Sequence, residues 1–366
     1  MATEEINSLP ESYPMLGGDG PYSYAKNSTF QRGFVDATKG MVFAGIAEKL
    51  DLKSLGIYSS STFQIADLGC SVGPNTFIAV QNIIEAVEQK YLEAANQHHS
   101  TLEFRVFFND HSDNDFNTLF QTLPPNRKYF AAGVPGSFHN RLFPKSSLHI
   151  VHSSSALHWL SRVPKEITDS TTLAWNKGSI HCTGFVKEVA TAYSAQFSND
   201  FESFFNARAE EIVPGGLMLI LIAVRPDGIP MSKNPEGIHY DFLGCCLYDL
   251  AKMGLISEEK VDSFNLPIYY PSLGEFETLI KRNANFSIEK KHMFTNPLMQ
   301  KAYCAEFWAG LLRAGLENLF QQHFGSLQVV DQIFKYYSRK LEQNISFIME
   351  GKSHDRIELC IILKRN

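Results

Sequence analysis

Residues 63–75 read Phe63-Gln-Ile-Ala-Asp67-Leu-Gly69-Cys-Ser-Val-Gly73-Pro-Asn75, an apolar run followed by a glycine-rich turn. Phe77, Val80, Ile84 and Val87 then recur at helical spacing, which predicts a buried strand, a tight turn and a helix over 76–89. Further strands are expected at 103–108, 129–132, 148–152 and 217–224, with a helix over 185–212. Strands alternating with helices imply βαβ units and a mostly parallel sheet. After Arg225 the pattern changes. Residues 226–235 are rich in Pro and Gly and read as a linker or mobile loop. From 242 to 322 the chain reads as mainly helical, and Ser272 and Glu275 have capping-box spacing. Strands at 345–350 and 357–364, joined by a turn at 351–355, are expected to rejoin the sheet, because an isolated hairpin is barely stable. The expected organisation is an N-terminal lid segment (1–32), an α/β core (33–228), a helical cap (229–325) and C-terminal strands completing the core sheet (326–366). A ligand cleft between core and cap follows.

Charge and composition exclude several functions. With 33 basic and 39 acidic residues the net charge is −6, which argues against nucleic acid as a partner and against a polybasic membrane module. The strongest apolar run, 217–224, is too short to span a bilayer. Six cysteines lack metal-ligand spacing, and the start is polar, so a reduced, cytoplasmic protein is expected. The 28 phenylalanines read as core packing rather than as a sign of an aromatic substrate.

The polar and glycine-rich clusters fall at expected strand carboxyl ends, where open parallel sheets bind ligands. Gly69 and Gly73 let backbone approach a ligand, and the helix that follows offers free N–H donors. The pattern is Asp-x-Gly-x-x-x-Gly, not the G-x-G-x-x-G dinucleotide fingerprint, and an acid in the turn repels a pyrophosphate. Asp67 instead suits the ammonium end of S-adenosylmethionine, which carries no phosphate. Asp110 closes the second strand, where a carboxylate can grip ribose hydroxyls, and Ser137 with Phe138 closes the third, beside an adenine. A tight turn with a capping Asp, a pyridine-nucleotide oxidoreductase and a non-catalytic binder remain as alternatives at this point.

The segments Tyr22-Ser-Tyr24-Ala-Lys-Asn-Ser28-Thr-Phe-Gln31, Ala66-Asp67-Leu-Gly-Cys-Ser-Val-Gly-Pro-Asn75, Asn109-Asp110 and Gly133-Val-Pro-Gly-Ser-Phe138 together carry a resemblance. So do His152-Ser-Ser-Ser-Ala-Leu-His-Trp159, Val213-Pro-Gly-Gly216 and Asp262-Ser-Phe264-Asn265. From about residue 16 onward the chain resembles the plant SABATH methyltransferases. Members of that family use S-adenosylmethionine, release S-adenosylhomocysteine, and methylate small carboxylic acids or xanthine nitrogens. The resemblance implies a Rossmann-like class I methyltransferase sheet with a helical cap, working as a homodimer on a small-molecule acceptor. It implies cofactor contacts at Tyr24, Ser28, Asp67, Cys70, Asn75, Asp110, Ser137 and Phe138. His111 stands where the family usually has a Leu over the adenine. Gln31 and Trp159 match the two donors that hold the acceptor carboxylate, and Ser155, His158, Tyr240, Tyr269 and Leu312 match the pocket walls. Asn176, Asp262, Phe264 and Asn265 match positions where some members hold Mg²⁺; a helix-ending turn is the structural alternative for the last three.

A carboxylate is already ionised at neutral pH and needs no general base, only alignment with the methyl group. Gln31 and Trp159 offer neutral N–H donors for that purpose. The leading expectation is therefore methyl-ester formation on a small, largely apolar acid. N-methylation of a xanthine such as paraxanthine is the alternative.

Overall fold

The segment at 63–75 forms the middle of a seven-stranded sheet in a computed structural model that describes residues 12–60, 62–94, 102–296, 298, 304–349 and 356–366. In chain order the strands are β1 (Thr62–Leu68), β2 (Glu103–Asp110), β3 (Tyr129–Pro135), β4 (Leu148–Ser154), β5 (Ile212–Val224), β6 (Phe286–Phe294) and β7 (Ile357–Arg365). They lie in the order β3-β2-β1-β4-β5-β7-β6. The first five are parallel, and β7 runs antiparallel between β5 and β6. Asp67 pairs in register with Phe108 on one side and His152 on the other, so β1, β2 and β4 end together. The chain order reverses at β1, which opens a crevice there.

The helices are α1 (Tyr24–Asn27), α2 (Thr29–Lys49), α3 (Ile57–Ser60), α4 (Asn75–Ala94), α5 (Phe116–Gln121), α6 (Lys187–Glu211), α7 (Pro235–Lys252), α8 (Glu258–Ser263), α9 (Leu273–Arg282), α10 (Ala305–Phe324) and α11 (Leu327–Met349). Alternation along β1 sends Phe63 and Ile65 to one face, where α2 and α4 pack through Val42, Ile46, Val80 and Ile84. Ala66 and Leu68 face the other side, covered by the aromatic stripe Phe197, Phe201, Phe204 and Phe205 of α6. Each such fully buried side chain contributes about 1.5–3 kcal/mol relative to exposure. A third core joins α7, α8, α10 and α11 through Leu243, Val261, Trp308, Phe320 and Tyr337, and this is the cap.

Three expectations change. Residues 286–294 form the edge strand β6, not a helix, although the segment carries Glu289, Lys290, Lys291 and His292. Edge strands are commonly charged on their open side, and a register irregularity between Ile288 and Lys290 breaks the alternation that would have marked it. The span 229–325 therefore contributes a strand to the sheet as well as cap helices. Residues 345–349 end α11 instead of forming a strand, and α11 packs into the cap core through Val330, Ile333 and Tyr337. A short apolar run does not distinguish a strand from a buried helix end by periodicity. The turn expected at 351–355, residue 350 and the first eleven residues of the lid lie outside the described residues. The segment 226–235 carries a short helical turn, Met231–Lys233, and Pro235 occupies the first turn of α7, where its missing N–H costs nothing. The capping box at Ser272 and Glu275 forms. Among the described residues no helix is long and apolar enough to cross a membrane.

Candidate active site

The turn after β1 is shaped by Gly69 and Gly73, with φ of 81° and 82°, a region that L side chains rarely adopt. A Cβ on Gly69 would stand 2.4 Å from the Ala156 Cβ, so the close approach of the two loops also requires glycine. Asp67 is buried at the end of β1. Its Oδ1 lies 2.6 Å from His152 Nδ1, and its Oδ2 accepts the Thr76 hydroxyl. Asp110, at the end of β2, accepts the backbone N–H groups of Ser71 (2.7 Å) and His111 (2.8 Å). Burial raises the Asp110 carboxyl and lowers the His111 imidazole. Ser71 and Ser155 both carry positive φ, at 51° and 54°, and both line the crevice. Backbone strain of this kind clusters where a site has to be held in shape.

Two cavities lie over this crevice. One is lined by Asp67, Cys70, Asn75, His152 and Gln31, the other by Asp110, His111, Phe138, Ser155 and Trp159, and Tyr24 and Gly69 belong to both. The N-terminal segment closes the second. Tyr13 stacks on Trp159 at 6.1 Å, the Leu16 N–H donates to Ala314 O at 2.9 Å, and the Gly18 N–H donates to Asp115 Oδ2 at 2.8 Å. Asn75 Nδ2 donates to both the carbonyl and the hydroxyl of Ser28, each at 3.0 Å, and so ties the start of α2 to that of α4. Ser28 is buried, and the Ser137 hydroxyl accepts the His139 N–H at 3.3 Å. These residues fit S-adenosylmethionine. Glycines leave room for its backbone-like amino-acid end, carboxylates face its positive and hydroxyl groups, and Phe138 and Tyr24 offer aromatic faces.

A third cavity, of about 90 Å³, opens toward the cap and shares Tyr24, Gln31, Ser155 and Trp159 with the first two. It brings together Gln31, Ser155, His158, Trp159, Tyr240 and Leu312, as the sequence reading expects. The His158 ring stacks on Tyr270 at 4.9 Å, and burial, helped by the nearby Arg356, pushes it down to about 3, so it is neutral in ordinary buffers. Gln31 Oε1, Ser155 Oγ and His158 Nδ1 are buried with no hydrogen-bond partner among the described residues. Such groups are costly unless a ligand or water completes them.

Tyr269 is a correction. Its hydroxyl donates to Glu275 Oε2 at 2.9 Å, and its ring packs 5.2 Å from Phe197, facing the sheet core rather than the cavity. Trp159 and Ile268 form an antiparallel bridge, and alternation around it sends Ile268 and Tyr270 into the cavity and Tyr269 away. Tyr269→Phe should cost about 1.5–3 kcal/mol of stability, the range for a hydrogen bond to a charged partner. Melting curves and acceptor kinetics check this; a raised KM with an unchanged melting temperature would return Tyr269 to the wall. Sequence reasoning missed Met15, Tyr270, Trp308, Glu236 and Arg356. Glu236 reads locally as an ordinary acid in a first helical turn, and Arg356 as the edge of a turn, so neither carries a local signal.

The residues considered for Mg²⁺ are engaged with other groups of the protein. Asn176 Nδ2 donates to Asn265 Oδ1 at 2.6 Å and to His181 O at 3.0 Å. Asp262 accepts the Tyr248 hydroxyl at 2.5 Å and lies 3.8 Å from Lys177 Nζ. The Phe264 ring is buried among Phe320, Phe324 and His323. Among the described residues no three His, Cys, Asp or Glu side chains cluster in a metal-like group. A carboxylate engaged by a tyrosine and a lysine does not fit a hard cation without rearrangement, and no chemical step is routed through one.

A parallel sheet with a final antiparallel strand, an acid-and-glycine turn after its first strand and a cap over that turn define a class I S-adenosylmethionine-dependent methyltransferase. Residues 10–366 match the family described as SAM dependent carboxyl methyltransferase, and the chain belongs to that family. It is 46% identical to loganic acid O-methyltransferase of Catharanthus roseus, covering 99% of this chain and 97% of the relative. It is 42% identical to paraxanthine methyltransferase 2 of Arabidopsis thaliana, covering 97% and 99%. A solved loganic acid methyltransferase with SAH superimposes with a TM-score of 0.91 over 96% of this chain and 99% of that one, at 46% identity.

Proposed function

We propose that the acceptor is a small organic acid whose carboxylate sits between Gln31 and Trp159, at the junction of the cofactor and cap cavities. The observation that carries this reading is the placement of the two neutral N–H donors: Gln31 lines the cap cavity and one cofactor cavity, and Trp159 lines the cap cavity and the other. An amide and an indole N–H can fix the plane of an anion without adding charge. Bound S-adenosylmethionine supplies an activated methyl on a sulfonium, whose S–C bond breaks as the carboxylate O–C bond forms. The chain aligns the acceptor oxygen with that methyl, and the lid residues Tyr13, Met15 and Tyr24 keep water out. His158, neutral and stacked on Tyr270, shapes the wall and takes no proton.

Incubation with labelled cofactor and a panel of carboxylic acids and xanthines tests the acceptor. Label should appear on acids and be released by alkaline hydrolysis, as an ester requires. Label on xanthines alone, stable to alkali, would overturn the carboxylate reading and favour His158 and Ser155 as purine contacts. We also infer a cytoplasmic homodimer. Six free cysteines support a reducing compartment and the family resemblance supports the dimer; cell fractionation and light scattering test the two.

A further inference from the structure

Part of the wall of the acceptor cavity is charged. Glu236, from the first turn of α7, and Arg356, just before β7, both line it. Arg356 is in ion-pair contact with Glu236 and also, through Nε at 2.7 Å, with Glu358 on β7. Its guanidinium lies 4.8 Å from the ring of Phe30, next to Gln31 in sequence, and 5.2 Å from that of Phe34. The three side chains are 8%, 6% and 1% exposed. One cation thus serves two buried carboxylates. Glu236 Oε2 and Glu358 Oε2 are buried with no hydrogen-bond partner among the described residues. Burial raises the Glu358 carboxyl to about 7, while Glu236 faces the cavity.

A buried carboxylate with an unused oxygen requires a donor. A second carboxylate on the acceptor is the wrong partner, because it would face the Glu236 carboxylate while Arg356 is already engaged by Glu236 and Glu358. A hydrocarbon acceptor is also wrong, because it would seal Glu236 against carbon. A hydroxyl donates to the carboxylate and accepts from the guanidinium, so it satisfies both. We propose that Glu236 and Arg356 form a second recognition point, selecting acids that carry a hydroxyl on the part of the molecule remote from the carboxylate. This rests on the carboxylate reading above and replaces the expectation of a largely apolar acid.

Matched acids test it: cyclohexanecarboxylic acid against its 3-hydroxy and 4-hydroxy derivatives, followed by labelled methyl transfer. The hydroxylated acids should show kcat/KM at least about tenfold higher, since sites built to bond a hydroxyl discriminate strongly against its loss. In Glu236→Leu the preference should collapse toward one. Arg356 keeps Glu358 as its partner in that variant, so the buried charges remain balanced. Glu236→Gln, which retains an acceptor oxygen, should keep part of the preference. Calorimetric titration with S-adenosylhomocysteine confirms that each variant is folded. Equal rates for the matched acids in the wild type, or a hydroxyl preference that survives in Glu236→Leu, would overturn the proposal while leaving carboxyl methylation intact. Transfer to xanthines and to none of the acids would instead remove the reading it rests on.

Discussion

Gln31→Leu and Trp159→Phe should each lower kcat/KM for the carboxylate acceptor by about 10- to 150-fold, with the double variant falling short of the product because both donors act on one carboxylate. A hydrogen bond to a charged group is worth about 1.5–3 kcal/mol, and each 1.4 kcal/mol is a factor of ten. Much of the loss should fall on kcat, because an acceptor held by one donor samples orientations that miss the methyl axis. Phe at 159 keeps the ring that packs against Tyr13, and Leu at 31 removes an amide whose oxygen has no described protein partner, so melting temperatures should change little. S-adenosylhomocysteine affinity should also stay within a few-fold. Steady-state kinetics with the best acid from the acceptor panel measures this. Unchanged kcat/KM in both single variants would mean that the acceptor is held elsewhere.

Arg208→Ala should destabilise the protein by about 3–5 kcal/mol, the range for stripping one partner from a buried ion pair. Arg208 and Glu211 are completely buried, with Nε and Nη2 each 2.7 Å from Glu211 Oε2. Arg208 also donates to Phe138 O at 2.8 Å and Asn140 O at 2.9 Å. Glu211 Oε1 accepts the N–H groups of Leu142 and Phe143. The pair therefore pins the loop after β3, which presents Phe138 to the cofactor crevice, onto the end of α6. Its loss leaves a lone buried carboxylate and two unsatisfied carbonyls. For a chain of this length the cost corresponds to a melting temperature lower by roughly 4–7 °C. Affinity for S-adenosylhomocysteine should fall as well, because Phe138 loses its support. Arg208→Ala with Glu211→Gln removes the stranded charge and should recover part of the loss. A melting temperature that does not move in Arg208→Ala would show that the loop is held by other contacts.

The two predictions differ in how visible their residues are along the chain. Asp67, Gly69 and Gly73 stand out because an acid and two glycines must follow a buried strand at short range. The same holds for the Ser272 and Glu275 capping box and for the helix face of Phe77, Val80 and Ile84. Strand β6 was hidden because its charges belong to a sheet edge and a register irregularity interrupts its period. The end of α11 reads as a strand because a short apolar stretch fits either structure. Arg208 looks like an ordinary surface residue on a helix until Phe138 and Asn140, some seventy positions away, are folded onto it.

Local sequence was sufficient for the alternating sheet, the cofactor turn and the family, because each depends on spacings of a few residues within one strand–turn–helix unit. The acceptor cavity depended on the folded chain. Its walls come from the N-terminal segment, the loop after β4, α7, α10 and the entry to β7, and whether Tyr269 or Tyr270 faces the cavity turned on a single antiparallel bridge at Trp159. Glu236 and Arg356 lie 120 positions apart, and only their burial beside the same cavity distinguishes them from solvated surface charges.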